Sequence, residues 1–186
     1  LYERAKIKAS DIMLIYGGTS GVGAAAVQIA RDCGCEKIIS TVGKRDKISM
    51  VEELGADAIF LHDSDLYEQI KNYLGNERVD IVFEHIGEKT WDTSMRILNN
   101  GGRVVTCGAT TGSSANINLT HVFFKQLSIL GSTMSNIKSF QSVLKKINEG
   151  KYKPMVDMIF PALDVISAHQ RIEDRKNIGK IVLEFS

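Results

Sequence analysis

The chain has 186 residues, of which 44% are hydrophobic and 24% charged, and its formal net charge is +1. These values are typical of one soluble globular domain with a sizeable core, and the near-neutral charge gives no basic field for nucleic acid. No apolar stretch approaches the roughly 20 residues of a membrane-spanning helix, and no signal peptide opens the sequence. Three cysteines, an odd number, do not suit a disulfide framework, so we expect a reducing, cytoplasmic compartment.

Short apolar runs rich in β-branched residues alternate with amphipathic stretches of helix length. The pattern predicts six strands, at residues 12–16, 37–42, 58–61, 80–84, 103–107 and 128–132. Helices are predicted between them at residues 21–33, 45–54, 65–74, 89–98 and 120–125. Continuous apolar strands that alternate with helices are typical of a parallel sheet covered on both faces. We therefore expect an α/β fold, a Rossmann-type doubly wound sheet of six parallel strands.

A tail follows the sixth strand. It contains predicted helices at 137–150 and 164–175 and predicted strands at 155–160 and 178–184. The two prolines, Pro154 and Pro161, both lie in this tail, so no linker marks an internal boundary. Residues 1–186 are therefore expected to form a single domain.

The first predicted strand leads into "GGTSGVG", residues 17–23, and then into a helix. Glycines let the backbone approach a diphosphate, and the following helix offers free N–H groups and the positive end of its dipole. Many strand-to-helix turns need a glycine for packing alone, and the loop fits two spacings. Gly17-x-x-x-Gly21-x-Gly23 suits short-chain dehydrogenases, whereas Gly18-x-x-Gly21, with Ser20 at the usual second glycine, suits medium-chain enzymes.

Tyr67 and Lys71 form a Tyr-x-x-x-Lys motif, the pair in which short-chain enzymes use the lysine to lower the tyrosine pKa. In those enzymes the pair lies on a helix after the fifth strand, but Tyr67 follows the third, so we interpret it as a half-buried helix residue. A self-contained short-chain reductase is one alternative function and a non-catalytic NADPH-sensing module is another. A methyltransferase is a third, although it would normally place an acid at the end of the second strand.

The residues after the second strand bear on the choice of cofactor. In NAD-binding sites an acid about 20 residues beyond the glycines binds the adenosine ribose. Here Val42 or Gly43 occupies that position, and Lys44, Arg45 and Lys47 follow. The missing carboxylate removes repulsion toward a 2′-phosphate, and the cations supply attraction. We therefore predict NADP(H) as the cofactor, with NAD(H) left open.

Four further motifs follow in order: "ELGAD" at 53–57, "VDIVFEHIG" at 79–87, "LNNGGRVVTCGATTG" at 98–112 and "FFKQLSILGSTMSN" at 123–136. With the glycine loop, they make the chain resemble the cofactor-binding domain of medium-chain dehydrogenase/reductases over essentially its whole length. This superfamily comprises zinc-type alcohol dehydrogenases and zinc-free quinone oxidoreductases. The resemblance implies that the intact enzyme transfers hydride between NADP(H) and an alcohol, a carbonyl compound or a quinone.

The resemblance also implies a set of cofactor-binding residues, all at the carboxyl ends of predicted strands, where doubly wound sheets bind ligands. They are Gly18, Ser20, Gly21 and Val22 for the diphosphate; Gly43, Lys44 and Lys47 for the adenosine ribose and its phosphate; His85, Ile86, Gly87, Cys107, Gly108 and Ala109 for the nicotinamide half; and Ser132, Thr133 and Met134 for the carboxamide. His85 could equally cap a helix or bind a backbone carbonyl. Cys107 is interpreted as a small strand-end residue, and no residue is predicted to be catalytic.

No Cys, His and acidic residues stand at zinc-ligand spacing, and Cys33 and Cys35 are interpreted as packing residues. His62 is interpreted as a surface loop residue. In the family that the chain resembles, an N-terminal barrel-like domain binds substrate and any zinc, and it would precede Leu1. We therefore expect this chain by itself to bind cofactor but not to catalyse the reaction. The resemblance further implies a homodimer through the edge of the sixth strand.

Overall fold

The computed structural model describes residues 1–63 and 65–185. Six parallel strands form one sheet in the order β3-β2-β1-β4-β5-β6. They are β1 (Ile12–Ile15), β2 (Lys37–Val42), β3 (Ala58–Leu61), β4 (Val79–Glu84), β5 (Leu98–Thr106) and β6 (Ser128–Gly131). Because the strand order reverses between β1 and β4, the ligand crevice of a doubly wound fold lies at their carboxyl ends. The predicted fold class is confirmed.

The helices are α1 (Gly21–Cys33), α2 (Ile48–Glu53), α3 (Leu66–Leu74), α4 (Glu88–Ile97), α5 (Leu119–Phe124), α6 (Ile137–Asn148) and α7 (Val165–Glu173). Short 3₁₀ turns precede α2 and α7, at Arg45–Lys47 and Ala162–Asp164. The predicted start of the fifth strand at residue 103 is wrong. The strand begins at Leu98, which pairs with Val79 before the register shifts and Ile81 pairs with Arg103.

The core lies on both faces of the sheet. Ile12 and Leu14 of β1 belong to a cluster with residues of α3 and α4, whereas Met13 and Ile15 belong to a second cluster with residues of α1. This alternation follows from the two-residue period of a strand. All four side chains are at most 6% exposed, and each stabilises the fold by roughly 1.5–3 kcal/mol.

The last two strands do not extend this sheet. β7 (Val156–Pro161) and β8 (Lys180–Glu184) form a separate parallel pair. The segment before β8 lies against the glycine loop, because the Gly179 N–H donates to the Thr19 carbonyl at 2.7 Å. Within the described ranges, no helix is long and apolar enough to cross a membrane.

Candidate functional site

The glycine loop, residues 17–23, connects β1 to α1. Gly17 has a φ of +60°, which favours glycine, and its N–H donates to Thr41 Oγ1 at 3.1 Å. A Cβ on Gly18 would lie 2.3 Å from Ser40 Oγ, and one on Gly23 would lie 2.1 Å from the Gly17 carbonyl oxygen. Packing within the protein alone therefore requires glycine at positions 18 and 23, whether or not a ligand binds there.

The first turn of α1 presents free hydrogen-bond donors. Ser20 is the N-cap, and its Oγ accepts the Gly23 N–H at 2.9 Å. The N–H groups of Gly21 and Val22 have no acceptor among residues 1–63 and 65–185. They lie at the positive end of a 13-residue helix. This arrangement favours an anion.

Lys180, which was not among the predicted site residues, lies beside the first residue of α1. A Cβ on Gly21 would lie 2.4 Å from Lys180 Cε and 2.9 Å from its Nζ, so the lysine side chain lies over Gly21. The contact exists because the segment that leads into β8 is hydrogen-bonded to the glycine loop. No local pattern in the sequence relates residue 180 to residue 21, so sequence reasoning could not find this pair.

His85 is buried at the end of β4 and supports the glycine loop. Its Nε2 donates to the Tyr16 carbonyl at 2.9 Å and lies 3.5 Å from Ser20 Oγ. A Cβ on Gly17 would lie 3.2 Å from the imidazole ring. Of the two roles considered for His85, the structure shows the contact with a backbone carbonyl. Its contact with a nicotinamide stays a prediction.

The loops after β4 and β5 are joined to each other. The Thr111 N–H and Oγ1 both donate to the Ile86 carbonyl, each at 2.8 Å. Gly87 has a φ of +93°, and a Cβ there would lie 3.1 Å from Ala109 Cα. A Cβ on Gly108 would lie 3.2 Å from the His85 carbonyl oxygen. The structure thus brings five of the predicted residues together: His85, Ile86, Gly87, Gly108 and Ala109. Cys107 precedes Gly108, and its N–H donates to the Glu84 carbonyl at 3.1 Å.

Desolvation at the end of β5 raises the pKa of the Cys107 thiol. A raised pKa disfavours the reactive thiolate at neutral pH. The interpretation of Cys107 as a strand-end residue rather than a nucleophile agrees with this environment.

A cavity of about 600 Å³ opens between the loops after β3, β4 and β5. Its lining residues come from these loops, from α3 and α4 and from the tail: His62, Asp63, Leu66, Ile86, Lys89, Thr90, Thr93, Thr110, Thr111 and Arg175. Of the predicted site residues only Ile86 lines it. The position of Arg175 could not be anticipated, because the tail reaches the cavity only through tertiary packing.

The cations predicted to surround the ribose phosphate differ in their surroundings. Lys44 is exposed, and nothing lies within 4 Å of a Cβ on Gly43. Lys47 instead donates from Nζ to the carbonyls of Asn177 at 3.1 Å and Arg175 at 3.5 Å. Its ammonium therefore holds the tail loop that carries Arg175 to the cavity.

His62 links the cavity to the glycine loop. Its Nε2 contacts Thr41 Oγ1, the same oxygen that accepts the Gly17 N–H. Its ring lies edge-on to Tyr16, with centroids 5.9 Å apart. Desolvation, and then the nearby His85, lower the pKa of His62, so the imidazole stays neutral at pH 7 and can accept the Thr41 hydroxyl proton.

The predicted residues after β6 lie in a different hollow. Ser132 continues the strand, with its N–H donating to the Thr106 carbonyl at 2.9 Å. Ser132, Thr133 and Met134 line a hollow of about 680 Å³ beside residues 1–4, and Met134 is 95% exposed. Among the described residues, no group of three or more His, Cys, Asp and Glu side chains could hold a metal ion.

Comparison with known proteins agrees with this geometry. The family model for zinc-binding dehydrogenases matches residues 21–149. Quinone oxidoreductase from Homo sapiens is 32% identical over 191 residues, an alignment that covers 98% of this chain and 57% of the relative. The Rattus norvegicus quinone oxidoreductase is 30% identical with the same coverage.

Solved structures give the same result. An NAD-dependent alcohol dehydrogenase superposes with a TM-score of 0.90 at 33% identity, covering 98% of this chain and 53% of that one. Crotonyl-CoA carboxylase/reductase AntE in complex with NADP superposes with a TM-score of 0.85 at 25% identity, covering 95% and 50%. The chain thus spans about half the length of these proteins. It belongs to the zinc-binding dehydrogenase family of medium-chain dehydrogenase/reductases and corresponds to the cofactor-binding domain of that family.

Proposed function

We propose that this chain binds NADP(H) and holds it for hydride transfer in an intact oxidoreductase. The observation that carries the proposal is the anion site at the start of α1. There the N–H groups of Gly21 and Val22 have no acceptor among the described residues, and the side chain of Lys180 lies over Gly21. A diphosphate would accept from both N–H groups while its charge is neutralised by the ammonium and by the helix dipole.

The nicotinamide supplies the hydride chemistry when it is bound, and the protein supplies binding and orientation. His85 holds the glycine loop through the Tyr16 carbonyl. The joined loops at 85–87 and 107–111 form one wall of the cofactor crevice. The substrate of the intact enzyme is proposed to be an alcohol, an aldehyde, a ketone or a quinone, as the names of the relatives suggest.

The residues favour NADP(H) over NAD(H). The end of β2 carries no carboxylate, because Val42 is its last residue and Gly43 follows, and Lys44 is exposed beside them. Asp46 lies further on, in the 3₁₀ turn before α2, where an acid is stabilised by the helix dipole. Arg175 adds a further cation at the cavity. The named neighbours include both an NAD-dependent enzyme and a complex with NADP, so the preference rests on these residues rather than on the relatives.

A calorimetric titration with NADPH and NADH tests the cofactor site. We expect NADPH to bind more tightly than NADH. Lys180→Met should lower the affinity for both cofactors about tenfold, because a charge-assisted contact to the diphosphate is lost. Lys176→Met is the matched control, since its ammonium is paired with Asp174 at 2.8 Å in the same tail loop. The cofactor site would be overturned if neither cofactor bound at millimolar concentration. The NADP(H) preference would be overturned if NADH bound more tightly, and the role of Lys180 if both variants lost the same affinity.

Substrate binding is proposed to belong to a barrel-like domain outside this chain, and any catalytic zinc would be held there. Activity is therefore expected from a polypeptide that includes this second half and not from residues 1–186 alone. An assay of the longer polypeptide with NADPH and assorted carbonyls and quinones also tests the NADPH-sensing alternative. Repeated inactivity despite cofactor binding would favour the sensor.

The short-chain reductase alternative depends on Tyr67 and Lys71. In the structure the Tyr67 ring packs against the core, with the Arg96 guanidinium 4.1 Å from its centroid. Neither Tyr67 nor Lys71 lines the cavity between the strand ends. A Tyr67→Phe variant is therefore expected to leave the activity of the intact enzyme unchanged.

A cytoplasmic location remains part of the proposal, and it rests on the three free cysteines.

A homodimer is proposed through the free edge of β6. β6 pairs only with β5 in the described structure, and an unpaired strand edge is a template for pairing with another chain. Next to it Leu119, Phe123 and Phe124 of α5 are 72%, 64% and 76% exposed. Ile129→Lys, a charge on the β6 edge, is expected to give monomers by light scattering, whereas Ile166→Lys in the tail is not.

A further inference from the structure

Glu84, the last residue of β4, is a fully buried carboxylate without a salt-bridge partner among residues 1–63 and 65–185. Its Oε1 accepts the N–H groups of Ile86 at 2.6 Å and Gly87 at 3.1 Å. Its Oε2 accepts the hydroxyl protons of Thr90 and Ser94, each at 2.8 Å. Four donors thus compensate a buried charge that would otherwise be strongly unfavourable.

The two backbone hydrogen bonds determine the turn after β4. Gly87 begins α4 with a φ of +93°, a conformation that a side chain would oppose. The Ile86 side chain lines the cavity, and its carbonyl accepts both bonds from Thr111 on the loop after β5. A displaced turn would therefore move two walls of the cavity together.

The two hydroxyl hydrogen bonds connect the carboxylate to α4 and, through Ser94, to Tyr16, the residue after β1. Thr90 lines the cavity, and Ser94 Oγ lies 3.3 Å from the hydroxyl of Tyr16, which is fully buried. Burial, and then the nearby Glu84, raise the pKa of Tyr16, so its hydroxyl stays protonated. The Tyr16 carbonyl is the atom that accepts from His85 under the glycine loop.

Resting on the cofactor site proposed above, we propose that Glu84 is a positioning residue for the dinucleotide. Its carboxylate is fully buried and does not line the cavity, so it acts through the groups that it holds. It sets the positions of three segments relative to one another: the glycine loop, the 85–87 turn and the loop after β5. Its effect on cofactor affinity should therefore exceed its effect on folding stability.

A Glu84→Gln variant separates these two effects. The amide keeps the size of the side chain and one carbonyl oxygen for the Ile86 and Gly87 N–H groups. Its NH₂ group faces the Thr90 and Ser94 hydroxyls, which must turn from donors into acceptors. Each hydroxyl has a second carbonyl within reach, Gly87 at 3.2 Å and Thr90 at 2.9 Å respectively, so the fold can persist while α4 and the turn adjust.

The chain contains one tryptophan, Trp91, next to Thr90 on α4 and 8% exposed. Its fluorescence reports titrations with NADPH and with 2′,5′-ADP and any movement of α4, while urea unfolding without ligand reports stability. Asp80→Asn is the matched control. Asp80 lies on the same strand, and its carboxylate accepts the Ile12 N–H at 2.9 Å and an Asn99 amide proton at 3.2 Å at the amino end.

Under conditions where the variant is fully folded, we expect Glu84→Gln to lower the affinity for NADPH and for 2′,5′-ADP about tenfold. The affinities of Asp80→Asn should stay within about twofold of wild type. Equal affinities in wild type and Glu84→Gln would overturn the proposal, even if stability fell. If Glu84→Gln does not fold, Ser94→Ala removes one of the four hydrogen bonds, and unchanged binding in that variant would also overturn it. Failure of the wild type to bind NADPH would instead reject the cofactor site itself, before any variant is compared.

Discussion

The body of the protein, residues 1–63 and 65–136, and its tail, residues 137–185, are stabilised in different ways. In the body, every residue of β1 is at most 6% exposed. In the tail, only Tyr152, Ala168 and Gly179 are buried. The tail strands form an isolated parallel pair, and two strands alone are marginally stable in water.

Polar contacts hold the tail to the body. The Gly179 N–H reaches the Thr19 carbonyl, and the Lys153 N–H donates to Gln28 Oε1 at 2.7 Å. Tyr152 donates to Asp32 at 2.8 Å. The weakly buried tail nevertheless brings Lys180 to the glycine loop and Arg175 to the cavity. Docking of the tail should therefore matter more for function than for global stability.

The largest expected difference between the two regions comes from matched isoleucines. Ile81 in β4 is fully buried, whereas Ile166 in α7 is 81% exposed. Ile81→Ala should lower the free energy of unfolding by about 2–5 kcal/mol because it leaves a cavity. Ile166→Ala should change it by about 0.5 kcal/mol or less. Urea unfolding measures both, and similar losses would mean that the tail has a core of its own.

Within the body, two glycines differ in the space that an added side chain would meet. Gly23→Ala places a Cβ against the Gly17 carbonyl, so the glycine loop must shift, and we expect a loss of roughly 1–3 kcal/mol. Gly131→Ala, in β6 with nothing within 4 Å of its Cβ, should be close to neutral. Thermal unfolding monitored by circular dichroism gives both values. A stable Gly23→Ala protein would show that the loop adapts without cost.

Lys47 tests the docking of the tail. Lys47→Met removes the ammonium that binds the Arg175 and Asn177 carbonyls and should weaken docking by about 1 kcal/mol, roughly a fivefold change in local opening. Limited digestion with trypsin, which cuts after Arg175 and Lys176, measures that opening. Lys44→Met, an exposed neighbour, is the control. Identical cleavage rates in the two variants would show that Lys47 does not hold the tail.

The smallest effect concerns acid stability within the tail. Arg171 Nη2 lies 3.1 Å from one oxygen of Asp157 and its Nε pairs with the other, and this ion pair lowers the pKa of Asp157 below its ordinary 3.8. The stabilisation is present above pH 3.8 and is lost as the pH falls through the lowered pKa. Asp157→Asn should therefore cost about 1 kcal/mol at neutral pH, and this cost should shrink as the pH falls below 3.8. Urea unfolding across this pH range measures the difference in the free energy of unfolding between wild type and variant. A difference that does not change with pH would contradict the ion pair.

Local patterns predicted the fold well. The bounds of α1, β2 and β3 agree with the prediction to the residue, because strand and helix periods and the glycine turns are local properties. β5 began earlier than predicted because Leu98 already pairs with Val79, and the strand then passes through an irregularity, with Gly101 at a φ of +74°, before Arg103 pairs with Ile81. The site was harder to predict. The glycine loop was found, but the cavity-lining residues of α3, α4 and the tail were not.

By itself, the sequence determined the alternation of strands and helices, the family and the glycine-rich turn, since each depends on neighbouring residues and their intrinsic conformations. Only the tertiary structure decided that Lys180 lies over Gly21, that His85 supports the loop through a carbonyl and that Lys47 binds the tail. These contacts join residues far apart in the chain, and their geometry depends on how the sheet, its helices and the tail pack together.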